Sequence, residues 1–329
     1  MAKHHKPVAG SRAFWPKKRA KRIYPEAKTR SLNADETVPL AFAGYKAGMV
    51  RVSLVDQRKD SVTMGEEVVR PVTVLDCPSL RVCAIQVYRK TDAGLEMEST
   101  LWAEKLSKDL ERKVKFPKKT DPRTMIRQLD SQIEKMRDVR LLVHTQPRGS
   151  GIGKKKPELF EIGLGGDVQG KWEYAKGKLG GEISASDVFK TGEWVDVSAV
   201  DRGKGYQGPV KRFGIKVRPR KHEKKRRHTG TLGPVTPGRV LPGKIAMAGQ
   251  LGFQTRTELN KMVMKIGSEG VNPKGGWLNY GSVKGEYIML SGSVPGPKKR
   301  LIIIRKGLRP RKPETLELKE IFLESQQGV

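Results

Sequence analysis

The sequence contains few cysteines and no long apolar run. Only two of its 329 residues are cysteine, Cys77 and Cys83, and a proline lies between them. This number excludes a disulfide framework and the spacing matches no common zinc motif, so we expect buried free thiols in a reducing compartment. No stretch of about 20 apolar residues is present, which predicts no membrane-spanning helix. The N-terminus lacks the apolar core of a secretory signal.

Acidic residues are scarce relative to basic ones. The chain holds 66 Lys and Arg against 35 Asp and Glu, a formal net charge of +31. Residues 1–33 carry ten cations and one acid, and residues 202–228 carry twelve cations and one acid. Neither segment has apolar periodicity, so neither is expected to fold alone. Charge of this size and distribution indicates a polyanionic partner, of which nucleic acid is the most common.

Residues typical of catalysis are also missing. Residues 148–156 and 163–170 are rich in glycine, but their spacings do not match the phosphate-binding or dinucleotide-binding loops. The five histidines form no recognisable set with Ser, Cys or carboxylates. We therefore expect no catalytic residue, no bound metal, no cofactor and no small-molecule substrate.

Short β-branched segments predict a mainly β fold. Residues 38–57 are expected to form a strand, a turn and a second strand, with Gly44 and Gly48 at the turn. Heavily apolar strands of this kind are typical of a small barrel. The other expected strands lie within residues 66–90, 139–147, 193–200, 262–267, 286–294 and 299–306, followed by an extended tail.

A helical period replaces the strand pattern near residue 99. Leucines at helical spacing predict a helix over 99–114, with Ser99 as its N-cap. A second helix is predicted over 121–139, with Asp121 as its N-cap. The glycine-rich residues 163–170 are expected to form a loop.

These patterns divide the chain into seven parts. The parts are a basic N-terminal extension (1–33), the first barrel strands (34–98), a helical α/β insert (99–185), one barrel strand (186–201), a long basic central loop (202–260), the last barrel strands (261–310) and an extended C-terminal tail (311–329). A loop of nearly sixty residues is too long for an idle connection in a compact domain, so the central loop is a functional candidate.

Five segments of the sequence resemble one family, the universal third protein of the large ribosomal subunit, of archaeal and eukaryotic type. The resemblance runs almost end to end, and its most diagnostic part extends from Phe189 to Arg212. The matching segments are 42–49, 187–214, 248–261, 272–281 and 292–306.

This resemblance implies both a fold and a function. The implied fold is a β-barrel of the translation-protein type with two extensions that run through ribosomal RNA. The central extension would approach the peptidyl transferase centre. The implied partners are large-subunit ribosomal RNA and neighbouring large-subunit proteins. The implied role is structural support and assembly of the subunit, in the cytoplasmic ribosome.

Two positions depart from the family pattern. Asp201 stands where Ser or Thr is usual. At the tip of the central loop Val235, between Gly233 and Pro237, stands where relatives commonly carry Trp. The resemblance therefore does not extend to aromatic stacking by this tip.

The candidate RNA-binding residues are cations of the two basic segments and one tryptophan. Arg and Lys neutralise phosphates, Arg can bind them in a bidentate manner, and an aromatic ring can stack on a base. The candidates are Arg12, Trp15, Lys17, Lys18, Arg19, Lys21 and Arg22 in the N-terminal extension, and Lys204, Lys211, Arg212, Arg218, Arg220, Lys221, Lys224, Lys225, Arg226, Arg227, Arg239, Lys244 and Arg256 in the central loop.

Two alternative functions stay open at the level of sequence. An RNA-modifying enzyme with basic recruitment arms would show cofactor-dependent turnover on ribosomal RNA. A DNA-compacting protein would bind duplex DNA at least as tightly as ribosomal RNA in a competition experiment.

The run Lys224, Lys225, Arg226 and Arg227 generates a first prediction, because it concentrates four charges with no apolar role. Replacing all four with Gln is expected to leave the strands folded and to reduce incorporation into large subunits, since phosphate contacts are lost. Sedimentation of the tagged variant would measure this. Normal incorporation with unchanged sensitivity to salt would contradict the prediction.

Overall fold

The computed structural model describes residues 10–29, 36–58, 61–115, 121–222, 225–241 and 243–324. Strands predominate, which confirms the predicted mainly β class with a smaller helical part. The strands are β1 (Ala41–Val55), β2 (Glu67–Asp76), β3 (Leu80–Thr91), β4 (Gly94–Trp102), β5 (Met136–His144), β6 (Leu159–Gly163), β7 (Glu182–Ile183), β8 (Trp194–Val200), β9 (Tyr206–Gln207), β10 (Gly249–Gln250), β11 (Thr255–Gly267), β12 (Tyr287–Ser291), β13 (Leu301–Lys306) and β14 (Glu317–Phe322). The α-helices are α1 (Pro122–Asp130), α2 (Val168–Lys178) and α3 (Pro209–Phe213), and short 3-10 helices span Arg12–Phe14, Lys108–Arg112, Ile133–Lys135, Pro147–Gly149 and Arg220–His222.

The chain divides into two compact units. The first, called here the basic unit, comprises the described residues of Met1–Ile23 and Val200–Arg256. The second, the sheet unit, comprises those of Tyr24–Ala199 and Thr257–Val329. In the described residues no helix is long and apolar enough to cross a membrane.

The largest sheet has seven strands in the order β13-β8-β11-β12-β2-β1-β14. Strand β13 pairs with β8 and also with β1, so six of the strands close into a ring. A closed ring leaves no free strand edge among its members. This closure is consistent with the barrel that the apolar strands predict. The predicted extended tail is confirmed for β14, which pairs with β1.

Strand β1 differs from the expected strand, turn and strand. It runs without a turn through Gly44 and Gly48, and its pairing with β2 shifts register between Lys46 and Gly48. Both glycines are required for close packing instead. A Cβ at Gly44 would lie 2.6 Å from the Cys77 Sγ, and one at Gly48 would overlap the Trp277 ring.

A second sheet, in the order β4-β3-β5-β6, contains a strand that the sequence analysis assigned to the barrel. Strand β3 is present as expected but pairs with β4, β5 and β7 rather than within the ring. The predicted helix over 99–114 is wrong, because Ser99–Trp102 belong to β4. Leu101 lies opposite Ile85 of β3 and is fully buried, so its apolar character serves a sheet.

The helices confirm one prediction in part and correct another. Helix α1 begins where expected, and the Asp121 carboxylate accepts hydrogen bonds from the Arg123 and Thr124 amides. It ends at Asp130, well short of residue 139, because β5 begins at Met136. Helix α2 occupies part of the predicted loop 163–170. Its apolar side chains form no continuous stripe, and Gly170 and Gly177 lower its helix propensity, so periodicity does not reveal it.

The two cysteines are buried and free, as predicted. Burial raises the pKa of the Cys83 thiol to about 12, so it stays protonated at neutral pH. Burial shifts the pKa of a carboxyl group in the same direction. Burial raises the pKa of Asp76 from 3.8 to about 6, although the Tyr280 hydroxyl donates a 2.7 Å hydrogen bond to its Oδ2.

The Trp277 ring, which lies against Gly48, is held in place by hydrogen bonds of residues that precede and follow it within the segment 272–283. The Asn272 side chain bonds both the amide and the carbonyl of Val283, each at 2.8 Å, and Tyr280 bonds Asp76. These bonds leave the Trp277 ring little room to retreat. The close packing of Trp277 on position 48 therefore requires a residue without a Cβ.

Replacing Gly48 with Ala is expected to destabilise the sheet unit by about 1–3 kcal/mol, the usual cost of overpacking a core. Chemical denaturation followed by tryptophan fluorescence would measure the free energy of unfolding. The matched control is Gly177→Ala in α2, where the added Cβ would meet no heavy atom within 4 Å apart from its chain neighbours and the backbone of its own helix. That control should change stability by less than about 1 kcal/mol, in the stabilising direction. Equal effects of the two substitutions would contradict the packing argument.

Candidate nucleic-acid interface

The two basic segments of the sequence pack against each other within the basic unit. The Trp15 ring stacks on the Phe213 ring with centroids 5.5 Å apart and planes inclined by 21°. The Gln254 side chain donates a 3.0 Å hydrogen bond to the Pro16 carbonyl, and the Ala20 amide donates one of 2.7 Å to the Phe253 carbonyl. Neither segment was expected to fold alone, and the structure shows that each supplies the other's apolar and polar partners.

The central loop contains local structure that the sequence analysis did not predict. Strands β9 and β10 pair in antiparallel register, Tyr206 with Gln250 and Gln207 with Gly249. Helix α3 starts at Pro209, where the missing amide proton costs nothing. It ends at Phe213, and the capping residue Gly214 has a φ of 66°, a left-handed conformation that glycine adopts without strain. This helix presents Arg212 and Phe213 to the rest of the unit.

Arg212 binds three backbone carbonyls from different parts of the basic unit. Its Nε donates to Gln250 O at 3.0 Å, its Nη1 to Met247 O at 3.0 Å and its Nη2 to Lys17 O at 3.3 Å. The guanidinium therefore ties the N-terminal segment to the far end of the central loop. Its geometry suits this task, because a planar group with five N–H donors can serve several acceptors at once.

Lys17 is also directed toward the protein backbone. Its ammonium donates to the carbonyls of Arg12, Ala13 and Trp15, at 2.7, 2.9 and 3.2 Å. These bonds account for the three donors of an ammonium group and fold the N-terminal segment around the Arg12–Phe14 turn. The sequence predicts Lys17 as a phosphate ligand, and the structure gives it an internal role.

Three further candidates also have partners inside the unit. Arg218 donates through Nη2 to Thr229 O at 3.2 Å, and Arg226 donates through Nε to Arg218 O at 3.3 Å. Arg256 lies 3.6 Å from the Asp201 carboxylate, which also accepts a 2.8 Å hydrogen bond from the Gln254 amide. Asp201 thus pairs with a neighbouring cation and does not extend into the cationic surface.

The remaining described candidates are cations whose side chains make no hydrogen bond or ion pair to any described residue. They are either exposed or half-buried, and they come from both segments of the basic unit. Lys224 lies outside the described residues. The outward set is Arg12, Lys18, Arg19, Lys21, Arg22, Lys204, Lys211, Arg220, Lys221, Lys225, Arg227, Arg239 and Lys244.

Charge in this unit greatly exceeds what acids could balance. Residues 1–23 and 200–256 hold 23 Lys and Arg against two acids, a net charge of +21 out of the +31 of the whole chain. In the part of the chain that the structure describes, no group of three or more His, Cys, Asp or Glu is placed to hold a metal ion. The arrangement can neutralise a polyanion, and it has the form of a binding surface rather than a reaction centre.

The aromatic side chains of the basic unit differ in how much of their surface is exposed. Trp15 is half-buried and gives one ring face to Phe213. The side chains of Phe14 and Tyr206 are 90% and 78% exposed and can stack on bases. Sequence reasoning did not include Tyr206 among the candidates, although its position among Lys and Gly residues could have indicated it. At the loop tip Val235 is 93% exposed.

Comparisons with the sequences of known proteins place the chain in a family. The sequence profile of the family described as ribosomal protein L3 matches residues 1–327. The chain belongs to the ribosomal protein L3 family. It is 45% identical to the large ribosomal subunit protein uL3 of Methanothermobacter thermautotrophicus, with 100% of both chains covered. It is 46% identical to that of Methanococcus vannielii, covering 99% of each chain, and 44% identical to that of Methanocaldococcus jannaschii, covering 98% of each.

Membership of the L3 family confirms the resemblance inferred from five short segments. The L3 match extends over the residues of both the sheet unit and the basic unit, so both units belong to the region that the family model covers. The roles of its individual residues stay predictions.

Arg212 generates the prediction for this site. Replacing it with Lys keeps the charge but removes the ability to reach three carbonyls, so opening of the basic unit should become easier by about 1–3 kcal/mol. Hydrogen exchange would detect this as faster exchange in residues 10–23 and 247–254. Lys211→Ala, next to it but outward-facing, is the control and should change exchange little. Unchanged protection in Arg212→Lys would show that the three bonds do not hold the unit together.

Proposed function

We propose that this chain is a structural component of the large ribosomal subunit and binds large-subunit ribosomal RNA through the basic unit. One observation carries the proposal: a compact unit with a net charge of +21 directs most of its cations away from internal partners. Self-repulsion of this size destabilises a compact unit, and binding to a polyanionic partner would relieve it. The named function of the L3 relatives supports the same conclusion, and the role is not enzymatic.

The described contacts suggest a division of labour among the candidate residues. Lys17, Arg212, Arg218 and Arg226 donate to backbone carbonyls and shape the unit. The outward set then meets a folded RNA with its geometry already fixed, which lowers the entropy lost on binding. Recognition would depend on the position of phosphates and on RNA shape more than on base sequence.

Two finer roles rest on the family resemblance. The central loop would approach the peptidyl transferase centre and support it without taking part in chemistry. The sheet unit would face neighbouring large-subunit proteins in the cytoplasmic ribosome. With Val235 at the loop tip, contact there would come from an aliphatic side chain and backbone rather than from a stacked ring.

Sedimentation of a cell lysate tests the proposal. The chain is expected to comigrate with the large subunit and to remain there in high salt, because many simultaneous phosphate contacts inside a folded RNA cannot all be released together. Isolated chain bound to free ribosomal RNA should behave differently. Its affinity should fall by on the order of a thousandfold or more between 50 and 200 mM salt for six to ten phosphate contacts.

Three results would count against the proposal. The chain could be found mostly free in the gradient, or it could leave the subunit at modest salt, as expected for a peripheral binder. Duplex DNA could compete as well as ribosomal RNA for the isolated chain, which would favour a DNA-compacting protein.

A further inference from the structure

An open cavity of about 340 Å³ lies at the surface of the basic unit, between four stretches of chain. Arg12 lines it from the N-terminal segment. Residues 215–218, 228–231 and 244–246 contribute the other walls from the central loop. Two members of the outward set, Arg12 and Lys244, line this cavity, whereas the other members are not among its lining residues.

Five basic side chains line the cavity, and none of its described lining residues is acidic. The five are Arg12, Lys216, Arg218, His228 and Lys244. Of these, only Arg218 has a side-chain hydrogen bond to a described residue. Such a concentration of unopposed cations around a concave space is a site for an anion.

Arg12 provides an independent indication of a missing partner. Its Nε is buried and has no hydrogen-bond partner among the described residues. Buried polar atoms in proteins are almost always hydrogen-bonded, because a buried donor without a partner loses its hydrogen bonds to water and gains none in the protein. Because this atom has almost no accessible surface, a ligand in the cavity would satisfy it only after the Arg12 side chain shifts.

The cavity walls are held by contacts that do not use the free cations. The Arg218 amide donates to Arg226 O at 3.1 Å, and its guanidinium donates to Thr229 O at 3.2 Å. The Thr229 hydroxyl in turn bonds the Ala246 carbonyl. On the other side, Lys17 holds the backbone carbonyl of Arg12 at 2.7 Å. The site is therefore largely formed before any ligand arrives.

The remaining lining is suited to something larger than a lone anion. Ile215, Ile245 and Ala246 supply apolar surface, and Thr231 supplies a hydroxyl. A cavity of 340 Å³ falls at the small end of the roughly 300–1,000 Å³ typical of organic-ligand sites. A phosphate beside a compact, partly apolar group matches this combination of cations, apolar walls and volume.

We infer that this cavity receives one nucleotide of the bound RNA, with its phosphate among the four Lys and Arg side chains and its nucleoside against Ile215 and Ile245. The inference rests on the proposed function and deepens it, since it names a defined site within a broad cationic surface. The nucleotide would leave its stack to enter, a cost that is small for an unpaired position in folded RNA. Such a site would fix the register of the RNA, which dispersed surface cations cannot do.

The test uses the full chain and two matched double variants. Arg12→Gln with Lys244→Gln removes two cavity charges, and Lys204→Gln with Lys211→Gln removes two outward charges elsewhere in the same unit. None of these four side chains has a partner among the described residues, so folding should be preserved. Lys216→Gln with Lys244→Gln is a second cavity variant that leaves Arg12 intact, in case the first is unstable.

Two measurements are made on each protein. Calorimetric titration with 5′-AMP, adenosine and inorganic phosphate measures binding of small ligands without RNA, and the variants assign that binding to the cavity or to the outward cations. Filter binding to large-subunit ribosomal RNA of an archaeal relative, at several salt concentrations, reports on the RNA. The wild-type chain should bind one 5′-AMP, with adenosine and inorganic phosphate each at least about tenfold weaker, because each lacks half of the contacts.

The variants separate the cavity from general charge. Cavity variants should weaken 5′-AMP binding by about tenfold or more and should weaken RNA binding beyond the loss in the outward variant. Equal losses in cavity and outward variants would overturn the inference while leaving the proposed function intact. Inorganic phosphate bound as tightly as 5′-AMP would also overturn it, since the site would then recognise an anion only. Failure of the wild-type chain to bind ribosomal RNA at any salt would overturn both.

Discussion

The hydrogen bonds from Arg212 to three backbone carbonyls are the interaction on which the basic unit depends. A unit with 23 cations and two acids cannot be held together by ion pairs. Carbonyl oxygens are the acceptors that remain, and every residue carries one. Arg212 and Lys17 together engage six of them, so two cations that still repel their neighbours also act as cross-links.

The cations therefore differ in role according to where their side chains point, and not according to whether they are Lys or Arg. Those that donate inward determine the shape of the unit, and those that face outward determine what it binds. The apolar contribution is small but well placed: the stacked Trp15 and Phe213 rings join the two segments of the unit. The inward hydrogen bonds end on neutral carbonyl acceptors. They therefore do not weaken the positive electrostatic potential outside the unit.

Local signals in the sequence were sufficient for some elements and insufficient for others. Asp121 and Pro122 specify the start of α1 through the capping bonds of neighbouring residues, so no distant partner has to be known. Leu101 could belong to a helix or a strand, and its buried position opposite Ile85 decides the matter only in the folded chain. Likewise Gly44 and Gly48 resemble turn residues until Cys77 and Trp277 are placed beside them.

The site shows the same limit. The charge of the two basic segments predicted nucleic-acid binding, because charge is additive and needs no knowledge of the fold. The pairing of the segments was not predictable, since Arg212 and Lys17 are 195 residues apart and neither has an apolar pattern that would indicate a partner. Consequently the sequence grouped Lys17 and Lys18 as equivalent ligands, whereas the structure turns one inward and the other outward.

The order of the strands brings the two ends of the long central segment together. The chain leaves β8 before residues 201–254 and returns in β11, and these two strands are neighbours in the sheet. The ends of the segment are thus held close together by ladder hydrogen bonds. The stability of the ring offsets the conformational entropy that is lost when a long loop is closed. A closed ring also cannot give up one strand without opening two ladders. The stability of the apolar strands therefore supports a segment that, from its own composition, has almost no core.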